Sequence, residues 1–265
     1  MGNNYKQFSG QWAIILGGSS GFGLAAVEKL ASHGMNAAVL YRETAVSERE
    51  LKSKFQQLSG STETTILPFN VNALDAEARA TFVENIKSSI PPKSVKLLLH
   101  SIARGNLKPL VDDNSELTAE DIQLTTYAMA TSMLDWTKAL LKAGVFNNDA
   151  RVIGLTSEGS TRYWEGYAAV SIAKSSLESL NTYMAVELSK YGIKTNLIQA
   201  GVTATPSLMR IPDSEHLMET AVARNPFGRL TKPQDVANVI YLLCTPEASW
   251  INGTIIHVDG GEHCR

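Results

Sequence analysis

The chain has 265 residues, 44% of them hydrophobic and 19% charged, which suits one α/β domain with a sizeable core, and its net charge of -2 gives nucleic acid or an anionic membrane no general attraction. Cys244 and Cys264 are the only cysteines, too few for a disulfide framework, so a reducing compartment is expected. Met1–Gln11 is polar, without the basic start and apolar core of a leader, and no run approaches the roughly 18 apolar residues of a membrane span, so the expected place is the cytoplasm.

From the start, short apolar runs alternate with longer amphipathic ones: Trp12–Leu16 then Leu24–Leu30, Ala37–Tyr41 then Leu51–Leu58, Thr65–Phe69 then Ala76–Ile90. This strand–helix rhythm predicts a parallel sheet. Val95–Leu99, Arg151–Leu155, Lys194–Ile198 and Thr254–Val258 supply four more buried-looking strands, with helical patterns between them. The expected fold is a Rossmann three-layer αβα sandwich, doubly wound around a mainly parallel seven-stranded sheet, in a single domain over 1–265. Two irregular stretches, Arg104–Thr118 and Ala204–Arg229, follow strands. In open parallel sheets the ligand crevice lies outside the carboxyl ends of the strands, so both stretches are candidate walls of a site.

Directly after the first strand comes Gly17-Gly18-Ser19-Ser20-Gly21-Phe22-Gly23, a G-x3-G-x-G turn that opens the first helix. Glycine lets backbone approach a pyrophosphate closely, and the free N–H groups of a helix start favour the anion, so Gly17, Ser19, Ser20, Gly21, Phe22 and Gly23 are candidate cofactor contacts. At the end of the second strand a carboxylate would select NAD, whereas Tyr41-Arg42 offers a cation for a 2′-phosphate. NADPH is therefore expected over NADH; the competing account of Arg42 is a solvated strand-end arginine. Asn70 and Val71 close the third strand, where an amide can meet adenine and an apolar side chain can pack on it, or where Asn70 is a plain strand cap.

Tyr167 and Lys174 are about two helical turns apart and project from nearly one face of a helix expected over Tyr167–Lys190. A phenol with an ordinary pKa of about 10 is a usable donor at neutral pH, and a nearby ammonium favours its ionised form.

Together these residues resemble the short-chain dehydrogenase/reductase family, and within it the NADPH-using enoyl-acyl-carrier-protein reductases. The resemblance spans essentially the whole chain: the Gly-rich turn, Asn70-Val71, His100-Ser101-Ile102-Ala103, Tyr167 with Lys174, Ala200-Gly201 followed by Thr205, Ile251-Asn252-Gly253 and Val258-Asp259-Gly260-Gly261. Ketoreductases of the family carry Y-x3-K, which would require tyrosine where this chain has Val170. Their usual Asn-Ala-Gly after the fourth strand is replaced by Ser101-Ile102-Ala103, and Thr126–Ser132 lacks their catalytic asparagine. The shifted tyrosine has a physical rationale. In enoyl-thioester reduction hydride goes to C3 while charge develops on the thioester oxygen at C1, so a donor displaced by one helical turn suits the enolate.

The resemblance implies that NADPH delivers hydride to C3 of a trans-2-enoyl thioester, that Tyr167 hydrogen-bonds the enolate oxygen, and that Lys174 holds the nicotinamide ribose. It places Ser101, Ile102, Ala103, Gly201, Thr203 and Thr205 with the cofactor, and Arg104, Tyr163, Leu208 and Met209 toward the substrate. Many relatives have a second tyrosine where this chain has Ser157; the Ser157 hydroxyl either assists catalysis or caps a turn. The resemblance further implies an acyl-carrier-protein-bound substrate and a homotetramer.

Leu208, Met209, Ile211, Leu217 and Met218 suit a flexible lid within 204–229, or a surface helix packed on the core. Tyr163, Trp164, Tyr127 and Met129 line an acyl channel or simply fill the core. Arg210, Arg224, Arg229 and Lys232 are read first as solvated charge and second as a receiver for an acidic carrier. His100 is expected as a core histidine, and nothing calls for a metal. Two rival functions stay open: a reductase of enoyl-CoA or ketones in secondary metabolism, and a non-catalytic NADP(H)-binding sensor or scaffold.

Overall fold

The computed structural model describes residues 6–265; the start of the polar stretch read as lacking a leader, 1–5, lies outside them. Seven parallel strands, β1 (Trp12–Leu16), β2 (Asn36–Tyr41), β3 (Ile66–Asn70), β4 (Val95–His100), β5 (Phe146–Thr156), β6 (Ile193–Ala200) and β7 (Ile255–Val258), form one sheet. Their order is β3-β2-β1-β4-β5-β6-β7. The order reverses between β1 and β4, which opens the crevice at the carboxyl ends of that pair.

Two apolar cores follow from the pleat. Trp12, Ile14 and Leu16 turn to one face, where α3 (Ala76–Ser89), α5 (Ser132–Lys142) and α6 (Ala168–Glu187) bring Phe82, Trp136, Leu140 and Leu177. Ala13 and Ile15 turn to the other, against Val27 and Leu30 of α1 (Gly21–Ala31), Phe55 of α2 (Ala45–Thr62), and Val236 and Ile240 of α8 (Pro233–Cys244). Burial on both faces is why β1 and most of β2 read as apolar runs, and why β4 does so apart from the buried Lys96 and His100. Helix starts are set locally: the Thr44 hydroxyl accepts from Ser47 N–H at α2, Asp75 from Ala78 N–H at α3, and Thr118 and Asp121 form a reciprocal box at α4 (Ala119–Thr126).

Some bounds differ from the sequence expectation. β5 starts at Phe146, ahead of the apolar run, because Phe146 pairs with Val95 before the register shifts. Tyr127–Thr131 is a π-helical turn between α4 and α5. Tyr167 stands just before α6 rather than inside it, and the helix ends at Glu187, followed by a 3-10 turn and Gly192 at φ 75°. The irregular stretch after β6 contains a short 3-10 turn, Leu208–Arg210, and the 11-residue α7 (Ser214–Arg224).

At the end of the sheet opposite the crevice, Asp149 binds three cations: Lys96 at 2.7 Å, Arg151 at 2.6 Å and Lys194 at 2.6 Å. Arg151 is fully buried and also donates to the Leu243 carbonyl at 2.7 Å. Cys244, the last residue of α8, is buried and its thiol is pushed up to about 12 by burial, while Cys264 is exposed; neither is in a disulfide. No helix among the described residues is long and apolar enough to cross a membrane.

Candidate active site

The Gly-rich turn packs against the segment that follows β4. A Cβ on Gly17, at φ 85°, would lie 2.3 Å from the Ser101 carbonyl oxygen, and a Cβ on Gly23 would lie 2.1 Å from the Gly17 carbonyl oxygen. Ser20 occupies the N-cap of α1 without a side-chain cap bond, leaving the first N–H groups of that helix to an external acceptor. This backbone cradle at the strand-order reversal fits the pyrophosphate of a dinucleotide. A second cavity of about 350 Å³, bounded by Ser19, Glu43, Ser47 and Lys54, continues from it beyond the end of β2. Arg42 is exposed at that strand end. Asn70 answers to the strand-cap account: its amide donates to the Glu43 carbonyl and the Glu48 carboxylate, and its oxygen accepts from Glu43 N–H, each at 3.0 Å. Val71 is half-buried and donates its N–H to the Tyr41 carbonyl.

On the other side of the crevice lies a cavity of about 480 Å³. Tyr167 faces it from the mouth of α6, and its hydroxyl lies 3.2 Å from Ser157 Oγ at the end of β5. Ser157 makes no cap bond, so its hydroxyl is turned to the tyrosine. Burial pushes the Tyr167 phenol above its ordinary pKa, opposed by the Ser157 hydrogen bond, and the phenol is protonated at neutral pH. Val170 lines the same cavity and is only 4% exposed, packed with Met129 and Ala173.

Lys174 is buried two turns further along α6, and its ammonium donates to the Leu155 carbonyl at 2.7 Å. Burial pulls its pKa down to about 8, against an opposing pull from Glu178. The expected influence of this ammonium on the phenol is not what governs Tyr167; burial is. His100 is a core histidine: its Nε2 lies 2.8 Å from Ser132 Oγ, and burial pushes it down to about 3. No group of three or more His, Cys, Asp or Glu side chains is placed to hold a metal ion among the described residues.

Phe22, Ala103, Arg104, Gly201, Thr203 and Thr205 line the cavity on the side facing the Gly-rich turn. Ser101 donates its N–H to the Leu16 carbonyl, and Ile102 packs on the core. Tyr163, Trp164, Met129 and Leu208 line the cavity, though Tyr163 is 89% exposed at its rim. Met209, expected toward the substrate, and Tyr127, read as channel lining or core, lie outside the cavity. Met209 is exposed, whereas Leu208 and the exposed Arg210 on either side of it in the 3-10 turn line the cavity. Tyr127 is held in a network with Arg79 at 3.2 Å and Asp135 at 3.3 Å.

The far wall of the cavity is polar, built from residues distant in the chain. Arg224, from the end of α7, grips the Glu158 carboxylate at 2.8 and 2.9 Å and donates to the Glu262 carbonyl, while the buried Glu262 carboxylate accepts from Val202 N–H at 3.3 Å. Arg224 is therefore an internal tie, and Arg229 pairs with Asp235 at 2.7 Å, whereas Arg210 lines the cavity with no ion pair among the described residues. Glu158 and Arg224 are 66 residues apart, so no local pattern in the chain announces their meeting.

The sequence matches the family model described as enoyl-(acyl carrier protein) reductase over residues 17–263. It is 29% identical to a tropinone reductase homolog of Arabidopsis thaliana over 97% of this chain and 95% of that protein. It is 28% identical to the 3-oxoacyl-[acyl-carrier-protein] reductase FabG of Salmonella typhimurium over 97% of this chain and 98% of that protein. The NADH-dependent enoyl-[acyl-carrier-protein] reductase FabI of Aquifex aeolicus is 28% identical over 68% of this chain and 67% of its own. The solved structure of the Aquifex enzyme matches with a TM-score of 0.83 at 22% identity, covering 97% of this chain and 98% of that one.

Proposed function

Since the chain belongs to the short-chain dehydrogenase/reductase family of oxidoreductases, through its enoyl-(acyl carrier protein) reductase group, we propose that it reduces the trans-2 double bond of enoyl thioesters with NADPH. One observation carries the choice of bond. Tyr167, not position 170, presents the phenol beside the strand end, and Val170 fills the cavity wall where a Y-x3-K enzyme needs its donor.

When bound, the dinucleotide supplies the hydride. The rest is work for the chain's own side chains. Tyr167, protonated because it is buried, donates to the thioester oxygen as charge develops there, in a site where the hydrogen bond is worth more than in water. Ser157 fixes the direction of that hydroxyl at 3.2 Å. Lys174 spends one of its three N–H donors on Leu155 and has two left for ribose hydroxyls. Arg42 supplies the positive charge for a 2′-phosphate at the end of β2. Trp164, whose ring N–H donates to the Pro212 carbonyl at 3.3 Å, ties the rim to the segment before α7 and helps to exclude water. The substrate arrives on an acyl carrier protein, and Arg210, exposed where it lines the cavity, suits an acidic partner.

The polar wall of Glu158, Arg224 and Glu262 favours a second reading, reduction of a more polar carbonyl substrate. Cofactor oxidation with matched enoyl and 3-ketoacyl thioesters, on coenzyme A and on acyl carrier protein, separates the two. Turnover of crotonyl thioester and none of acetoacetyl thioester is expected; the reverse overturns the proposal. In the same assay Tyr167→Phe is expected to lower kcat by about 10²- to 10³-fold while leaving NADPH affinity intact, which also removes the idea of a non-catalytic binder.

A further inference from the structure

The last two residues of β5 and two successive turns of α6 are joined by a pair of rungs. Lys174 donates to the Leu155 carbonyl at 2.7 Å, and Thr156 Oγ1 donates to Glu178 Oε1 at 2.6 Å. Leu155 and Thr156 are neighbours on the strand; Lys174 and Glu178 are i, i+4 neighbours on one helix face. Lys174 and Thr156 are 6% and 4% exposed, and Thr156 lines the cavity. A buried ammonium loses hydration, and this one has no carboxylate within 4.0 Å to make a direct ion pair among the described residues. His100 of β4, neutral at its depressed pKa, feels the ammonium; Tyr167, protonated, opens the same helix two turns before it; and the Glu178 carboxylate opposes the effect of burial on Lys174.

We propose that Glu178, held in place by Thr156, is a positioning residue that keeps the Lys174 ammonium charged and seated at the end of β5. The inference rests on the reading of Tyr167 and Lys174 as the working pair. The carboxylate acts across one helical turn, and the Thr156 hydroxyl stops it from swinging to solvent. Burial and Glu178 pull the lysine in opposite directions, leaving its titration at about 8. Without the carboxylate the ammonium would lose its proton at lower pH, closer to neutrality.

The test follows NADPH affinity by fluorescence from pH 6 to 9, with kcat/KM for crotonyl thioester alongside, in the whole protein. The wild type should hold its affinity up to about pH 8. Glu178→Gln should match it at pH 6 and lose affinity about one pH unit earlier, Glu178→Asp should restore most of the profile, and Thr156→Val should shift it in the same direction by less. A wild-type profile in Glu178→Gln overturns the proposal. Equal weakening at every pH also overturns it, since that is what a merely structural residue would give. Should Glu178→Gln fail to fold, Thr156→Val carries the decision. Lys174→Ala, measured in the same titration, separates the two claims: unchanged affinity there removes Lys174 from the cofactor site, whereas failure of thioester turnover alone leaves the binding arm to decide Glu178.

Discussion

Tyr167 and Ser157 meet at 3.2 Å across a boundary between two kinds of backbone, the end of a strand and the start of a helix. The contact fixes where the Tyr167 hydroxyl sits, and burial keeps the proton on it. The spacing of Tyr167 and Lys174 was legible in the sequence, because Lys174 lies two turns into the helix that Tyr167 opens, although Tyr167 is that helix's N-cap and not a residue inside it. The partner of Tyr167 was legible as a position but not as a role, since a serine at a strand end caps or donates with equal ease. Asn70 and Met209 were less legible: the amide is taken up by Glu43 and Glu48, and Met209 is turned to solvent in a 3-10 turn whose phase the chain does not reveal. Arg42 stands exposed at the end of β2. Arg42→Ala is expected to lower kcat/KM for NADPH by about 10- to 100-fold, the worth of one charge-assisted hydrogen bond, with little effect on NADH; steady-state kinetics with both cofactors checks this.

The loop from Gly17 to Gly23 is the element whose shape is most tightly dictated by its residues. Gly23 has no space for a side chain against the Gly17 carbonyl, so Gly23→Ala must push the turn away from the strand end. A loss of about 1–3 kcal/mol in urea unfolding, accompanied by weaker NADPH binding, is the expected outcome. Elements of this kind could be read from the chain: strands buried on both faces are continuous apolar runs, and the turn glycines lie next to the strand they terminate. The π-helical turn at Tyr127–Thr131 left no such mark, since neither proline nor glycine interrupts that stretch. The polar wall was hidden for a different reason: Arg224 reaches Glu158 and Glu262 only after the strands between them have been laid side by side.

Across the whole molecule the sheet separates two chemistries, an open crevice at its carboxyl end and a knot of charge at the other. Asp149 neutralises one of three cations and bonds all of them, so its carboxyl is held well below the ordinary range, its hydrogen bonds to Arg151, Lys194 and Lys96 outweighing an opposing effect of burial. A depressed carboxylate contributes stability that is complete above its unfolded pKa of about 3.9 and is lost as pH falls through the lower folded value. Asp149→Asn is expected to destabilise the protein near pH 7 by about 2–3 kcal/mol, less than for a fully buried pair because the Asp149 side chain is 39% exposed. It should also flatten the loss of stability below pH 4; urea unfolding at pH 7 and at pH 3 to 4 measures both.

The two thiols sit on opposite sides of this stability. Cys264 meets solvent in the folded protein, whereas Cys244 can do so only when α8 leaves the sheet. Under a thiol-alkylating reagent the chain therefore runs two clocks, one timed by encounter with solvent and one by opening of the α8 face, and their ratio gauges how often that face comes apart.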